Sequence, residues 1–208
     1  MQRRQYSLGD WFSNHYLQES TIKNMSRQFN ANKPYPHLEL KNFFREEIAV
    51  NALKALSQAK FSEKDADLFH IYQTNDISSM DDPFLQDFRA FFLSNAFLSY
   101  MTRVTGLHFK RNKIDLHGAI YSNTCYLLCH DDQLEGRSIA FMWYLSNLKN
   151  DYGGSLLLYD KKFKTTKKII PQFNSFVFFQ VSPFSFHEVE EVKGDVQRIT
   201  LGGWLHDK

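Results

Sequence analysis

Cysteine is scarce in this 208-residue chain: Cys125 and Cys129 are the only two. They are too few for a disulfide framework and too close in sequence to close a useful loop, so a reducing cytosol is the natural compartment. An excess of one charge is also missing. Twenty-five basic residues stand against 23 acidic ones, a net of +2. That balance gives no general pull toward nucleic acid or an anionic membrane, and direct nucleic-acid binding is not expected. Long apolar runs are absent too. The start, MQRRQYSLGDWF, is basic but leads into no stretch of signal-peptide length, and no window approaches a membrane span. Together these absences describe a soluble, cytoplasmic protein without a membrane partner.

What the chain does have is aromatic residues, 20 Phe and 10 Tyr. Many lie in strand-like runs, where rings pack well on a pleated surface, and this favours a sheet-built core. The length suits one well-filled domain. Residues 1–31 are polar with scattered apolar positions such as Leu17, Ile22 and Met25, and read as a loosely amphipathic helix or partly ordered arm. His37 to Lys41 alternates like a strand, and Ile48, Ala52, Ala55 and Leu56 recur at helical spacing. Residues 57–67 read as a charged connector and 68–73 as a strand. Asp82-Pro83 is a helix start, and the following apolar face predicts one helix ending at Gly106. Beyond it, 111–128, 138–145, 155–159, 175–181, 184–189 and 197–205 are strand-like, with the lysines of 161–168 in a hairpin loop. Short strands separated by turns imply a sandwich or barrel.

Against that background, His130-Asp131-Asp132 stands at the end of a strand-like run. In an extended segment residues i and i+2 share a face, so His130 and Asp132 can reach one metal ion while Asp131 points away. His187, in a later run, can complete a set of two imidazoles and one carboxylate, the arrangement associated with non-heme Fe(II) oxygenases. Arg198 adds a planar guanidinium able to grip the far end of a dicarboxylate. Metal plus arginine points to 2-oxoglutarate. A His-x-Asp triplet alone is a frequent accident of sequence; it is the order and the strand context that give it weight. The pair Cys125 and Cys129 beside His130 lacks a second cysteine pair to finish a zinc site. The other histidines, His15, His37, His70, His108, His117 and His206, receive no catalytic role.

The run Leu-Leu-Cys-His-Asp-Asp-Gln-Leu-Glu-Gly-Arg-Ser-Ile-Ala-Phe at 127–141 resembles the catalytic domain of the ribosomal prolyl hydroxylases. These lie within the prolyl hydroxylase-like branch of the double-stranded β-helix Fe(II)/2-oxoglutarate oxygenases. Similar pieces are Tyr152-Gly153-Gly154-Ser155-Leu156, Val177 to Pro183, Ser185-Phe186-His187, Gly203-Trp204 and, upstream, Lys33 to Leu38 and 68–77, so the likeness covers nearly all of the chain after residue 30. It implies a mainly β fold with flanking helices, a double-stranded β-helix of jelly-roll or cupin type over 32–208, with 1–31 as an N-terminal arm. It implies Fe(II) on His130, Asp132 and His187, and Arg198 on the far carboxylate of 2-oxoglutarate. Tyr121 and Tyr144 match tyrosines that approach this cosubstrate, and Thr200 stands where a small hydroxyl residue is common; the plainer reading of all three is buried strand residues. O2 is the second cosubstrate, with ascorbate as a supporting reductant. The implied substrate is a prolyl residue of a protein or peptide, with a small-subunit ribosomal protein as the candidate. Phe141, Trp143, Phe179 and Trp204 are expected to wall the site, and 68–83 to cover it. Ribosomal members carry a second, non-catalytic β-helix domain, whereas this sequence stops at Lys208. Two other functions stay open: oxidation of a free amino acid or small metabolite at the same site, and a non-enzymatic interaction module presenting the N-terminal arm and lysine loop.

Overall fold

The structure, a computed structural model, describes residues 5–207; the basic start Met1 to Arg4 and the final Lys208 lie outside it. Two short 3-10 turns, Leu8–Asp10 and Asn14–Leu17, lead into α1 (Glu19–Ala31). Its Ile22, Met25 and Phe29 recur every three or four residues and are buried, as a helix with one face on a core requires. β1 (His37–Leu40) and α2 (Glu46–Ser57) follow.

The stretch read as a charged connector contains a strand. β2 (Ser62–Ala66) is exposed along its whole length and pairs antiparallel with β3 (Phe69–Gln73), from Ser62↔Gln73 to Ala66↔Phe69. It has no apolar alternation to reveal it. Backbone pairing and the Glu63 carboxylate, 2.9 Å from His70 Nε2 and accepting from Tyr72 Oη at 3.1 Å, hold it instead.

The single helix expected from 82 to 106 is two, α3 (Pro83–Phe92) and α4 (Asn95–Thr105). Asp82 caps the first, accepting from Leu85 N at 2.9 Å. Ser94 restarts the chain as a second cap, accepting from Phe97 N at 3.2 Å, the usual service of a serine at such a position. Gly106 closes α4 with φ +79°, a left-handed conformation that glycine adopts without strain.

Eight strands follow: β4 (Phe109–Tyr121), β5 (Tyr126–His130), β6 (Arg137–Tyr144), β7 (Leu156–Tyr159), β8 (Thr165–Ile169), β9 (Ser175–Gln180), β10 (His187–Val189) and β11 (Arg198–Asp207). The run 111–128 is thus two strands parted by a turn. Much of the lysine segment is β8, and only 160–164 make the loop, where the Asp160 carboxylate accepts from the backbone N–H of Lys162 and Lys164. The run 184–189 is a strand only from His187; before it, Ser185 Oγ donates to Ser182 O and Asp131 O.

Hydrogen bonding joins the strands in the order β1-β9-β6-β11-β4-β3-β5-β10-β7-β8, with β2 outside on β3. The sheet rolls onto itself, so that Leu156, Leu158 and Ile169 of β7 and β8 pack against Ala140, Tyr144, Val177 and Phe179 of β6 and β9. Alternate residues of these central strands face the other way. Trp143, Phe176, Phe178 and Leu201 join the helices in the main core. Trp143 is fully buried, stacks on Phe88 with centroids 5.4 Å apart and donates from Nε1 to Asn174 Oδ1 at 3.1 Å. This is the mainly β double-stranded β-helix implied by the resemblance, with helices covering one layer.

Candidate active site

The interior of the roll brings the sequence-selected residues together. β10 pairs with β5 so that His187 lies opposite His130, their ring centroids 4.2 Å apart. Asp132 joins them differently from the sequence expectation. β5 ends at His130, and Asp132 adopts φ +62° beyond the strand. Aspartate tolerates this left-handed conformation better than most residues. The turn brings its carboxylate back: Oδ1 lies 3.3 Å from His130 Nε2 and Oδ2 lies 3.3 Å from His187 Nε2.

Each imidazole is fixed from behind. His130 Nδ1 lies 2.8 Å from Leu128 O, and His187 Nδ1 lies 2.8 Å from Ser185 O. A carbonyl there accepts from Nδ1–H and turns Nε2 toward the Asp132 carboxylate, so that Nε2 becomes the ligand atom once a metal displaces its proton. Burial pushes the Asp132 carboxyl upward in pKa, but hydrogen bonds from His130 and His187 outweigh it and hold the group far below its usual range. For His130, burial acts downward and the Asp132 carboxylate outweighs it, raising the pKa. One ligand atom from each residue lies within 4.8 Å of the others. Two nitrogens and one carboxylate oxygen, with no thiolate among them, fit Fe(II) better than a four-ligand structural zinc site.

Facing the triad, alternate residues of β11 point inward beside those of β4 and β6. Arg198 lies opposite Tyr121, Thr200 opposite Ala119 and Tyr144, and Gly202 opposite His117 and Met142; Trp204 lies opposite Asp115 and Ala140. Arg198 is only 2% exposed. Its guanidinium carbon lies 4.8 Å from the Tyr121 ring centroid and 5.0 Å from that of Tyr144, and Nη2 donates to Tyr144 Oη at 3.4 Å. Nε has no partner, and among the described residues no carboxylate pairs with this cation. A buried guanidinium normally has one. Burial pushes the Tyr121 hydroxyl up to about 12 and raises that of Tyr144, so both stay neutral donors. Gly154, with φ +69°, lets the chain pass Arg198; a Cβ there would lie 3.6 Å from Arg198 Cδ and 2.7 Å from Leu148 Cδ2.

The cavity between triad and arginine is about 90 Å³. The expected walls are partly corrected. Trp204 borders it and Phe179 lies 4.6 Å from the His187 ring, but Trp143 packs against the helices because its position in β6 faces the opposite side. Phe141 borders the cavity, yet its ring packs at a tilt against Phe92 of α3. Of the expected cover, 68–83, the first part is corrected. Residues 69–73 are β3, hydrogen-bonded between β4 and β5, and Thr74 N donates to Gly118 O. A larger concavity, about 950 Å³ over Arg89, Leu93 and Arg111, includes no histidine or carboxylate among its described residues. Sequence reasoning passed over Met142 and His117, though counting back by twos from Tyr121 along β4 places His117 on the inner face.

Residues 116–206, which include the triad and Arg198, match the 2OG-Fe(II) oxygenase superfamily. The chain is 36% identical to prolyl 3-hydroxylase OGFOD1 of Mus musculus over 181 residues, 83% of this chain and 33% of that protein. It is 33% identical to prolyl 3,4-dihydroxylase OGFOD1 of Ostreococcus tauri over 197 residues, 84% of this chain and 38% of that protein. It therefore spans between a third and two-fifths of the length of these relatives. A Pseudomonas putida prolyl-4-hydroxylase shares the fold, with a TM-score of 0.70 at 14% identity over 88% of this chain and 99% of that one. No helix among the described residues is long and apolar enough to cross a membrane. The paired-imidazole and carboxylate site and the buried arginine that faces it thus fall, on this fold, within the segment that matches the 2OG-Fe(II) oxygenase superfamily.

Proposed function

We propose that this protein is a 2-oxoglutarate- and Fe(II)-dependent dioxygenase that hydroxylates a prolyl residue of a protein, with a small-subunit ribosomal protein as the candidate substrate. The observation that carries the reading is the buried Arg198, which has no carboxylate partner among the described residues and faces the same cavity as His130, Asp132 and His187. In this reading the triad holds iron, Arg198 binds the distal carboxylate of 2-oxoglutarate, and Tyr121, Tyr144 and Thr200 line its path. The prolyl target rests on the likeness to the two named hydroxylases. Cys125 and Cys129 are free thiols, in keeping with a cytosolic setting.

Bound iron and 2-oxoglutarate supply the oxidising chemistry, in which O2 gives one oxygen atom to a substrate C–H bond and the other to succinate as CO2 leaves. The chain's residues prepare for it. Leu128 O and Ser185 O fix the two imidazoles, so both Nε2 atoms converge without rearrangement. Asp132 remains ionised at any physiological pH and adds the anionic ligand. Arg198, flanked by two neutral tyrosines, orients a dicarboxylate along β11 and neutralises its far end. The apolar surroundings, Phe179, Val189 and Leu156 among them, limit water around the reacting centre.

The test is anaerobic reconstitution with Fe(II), followed by 2-oxoglutarate, O2 and proline-containing peptides of small-subunit ribosomal proteins. A product heavier by one oxygen on proline, with stoichiometric succinate and absent from Asp132→Ala, is the expected result. Succinate stimulated by small metabolites and by no peptide would replace the prolyl substrate, and failure of the folded protein to bind Fe(II) would overturn the oxygenase.

A further inference from the structure

Of the six histidines that are not on the surface, five have a polar partner in the protein: His37, His70, His130, His187 and His206. His117 has none among the described residues. It lies in the cavity wall, its ring 5.5 Å from that of Trp204 at a 38° tilt. Gly202 stands opposite it on β11, where the β6 backbone approaches so closely that a Cβ would press to 2.8 Å from Phe141 O. The surroundings hold the ring pair in place. The Arg137 guanidinium lies 3.5 Å from the Trp204 centroid, and Arg137 Nε and His206 Nε2 both meet Asp115 Oδ2, at 3.5 and 3.1 Å. Beside His117, Trp204 Nε1 is a buried donor without a hydrogen-bond partner. Native structures rarely leave such groups unmatched unless something else is to be bound.

We propose that His117 is a specificity-determining residue that hydrogen-bonds the backbone of the substrate polypeptide beside its target proline. This rests on the prolyl hydroxylase reading and extends it. Position along the strand separates His117 from the cosubstrate. Its partner Gly202 is four residues from Arg198, about 13 Å along a strand, further than a five-carbon dicarboxylate reaches. It also lies toward the open end, because exposure rises from the sealed Arg198 to the partly exposed Trp204. The chemistry fits a prolyl target. Proline within a chain has no N–H and offers carbonyl acceptors only, so its site must present donors. A neutral imidazole presents one donor and one acceptor, and burial keeps this ring neutral by pushing its pKa down to about 4. Because no carbonyl fixes its proton, as happens at His130 and His187, either nitrogen can donate.

The experiment uses Mn(II) and 2-oxoglutarate to prevent turnover, and measures the affinity of the full chain for overlapping proline-centred peptides of small-subunit ribosomal proteins. His117→Phe keeps a ring against Trp204 and removes the hydrogen bond; His117→Gln keeps a donor and an acceptor. The expected outcome is about tenfold weaker peptide binding by H117F, and binding within about threefold of wild type by H117Q. Both variants should keep the wild-type 2-oxoglutarate dissociation constant. Replacing the amide after the target proline with an ester weakens that carbonyl as an acceptor, so it should cost wild type severalfold and H117F nothing. Equal peptide affinity in wild type and H117F, or a matching loss of 2-oxoglutarate affinity, would reduce His117 to a packing residue and overturn the proposal alone. If wild type binds no prolyl peptide while retaining metal and 2-oxoglutarate, the prolyl reading falls and this inference falls with it.

Discussion

Replacing Arg198 with methionine should make the cosubstrate-free protein more stable and remove most of the stabilisation that the cosubstrate confers. Arg198 is buried, its Nε has no partner, and its compensation consists of two tyrosine faces at 4.8 and 5.0 Å, a 3.4 Å hydrogen bond to Tyr144 and a weak one to Met142 Sδ at 3.8 Å. A buried ion without its counter-charge costs several kcal/mol, and a desolvated cation–π contact returns about 2 kcal/mol. The balance left against the folded state is on the order of 1–3 kcal/mol. Methionine fills a similar length with no charge to desolvate. In a chain of this size that balance corresponds to a rise in Tm of roughly 3–9 °C. With Mn(II) and 2-oxoglutarate at a hundred times its Kd, wild type gains about 2.7 kcal/mol by mass action. Loss of two charge-assisted hydrogen bonds, about 1.5–3 kcal/mol each, weakens cosubstrate binding by a hundredfold or more, so the variant gains almost nothing at the same concentration. Thermal unfolding with and without cosubstrate reads both effects. A variant that melts below wild type without 2-oxoglutarate, or one that keeps the wild-type cosubstrate shift, would refute the assignment of Arg198 as a cation prepared for an absent anion.

Other perturbations follow from the same geometry. Trp143→Ala should lower the unfolding free energy by about 3–5 kcal/mol, because it empties a fully buried site and leaves Asn174 Oδ1 unpaired; chemical denaturation giving less than 1 kcal/mol would contradict the packing described. Gly154→Ala places a Cβ 2.7 Å from Leu148 in a left-handed backbone and should cost about 1–3 kcal/mol, with a higher 2-oxoglutarate requirement as Arg198 shifts; an unchanged KM for the cosubstrate would separate that turn from the site. For pH, the folded pKa of His117 lies below its unfolded value, so the unfolded chain takes up the proton first and stability falls as pH drops from about 6.5 to about 4. Burial is the main cause; Asp76, Asp115 and Asp132 oppose it, and Arg137 adds to it. His117→Phe should flatten this acid limb in melting curves, and an unaltered slope would show that other groups carry it.

What could be read from the sequence was what depends on parity and chemical type. Two-residue alternation through Arg198, Thr200 and Trp204 gives one face of β11, and the same count along β4 joins Tyr121 to His117, so the inner wall was open to a reader who applied parity strictly. Trp143 shows the cost of relaxing it: placed by its aromatic character, it was expected at the cavity, whereas its odd position in β6 sends it to the helices. Other features depend on backbone choices that leave a weak trace. Ser94 interrupts an apolar face that continues on both sides, and β2 is held by pairing with β3 and shows no apolar pattern of its own.

Asp132 is the instructive case. Extended geometry led to the right atoms through the wrong conformation, since the carboxylate arrives by a left-handed turn beyond the strand. The turn also determines what surrounds the site. A continued strand would carry the carboxylate of Asp132 onward with β5, whereas the turn sends the chain into the 131–136 loop, whose Asp131 O accepts from Ser185 Oγ just before His187. The hydrogen bond ties the loop bearing one ligand to the turn preceding another, and Ser185 O in turn fixes the His187 ring. Two of the three proposed ligands, Asp132 and His187, are thus tied together through one serine, while Leu128 O holds His130 separately. Under the proposed oxygenase reading, the Ser182–Phe186 turn therefore helps to position two of the groups that would carry the iron.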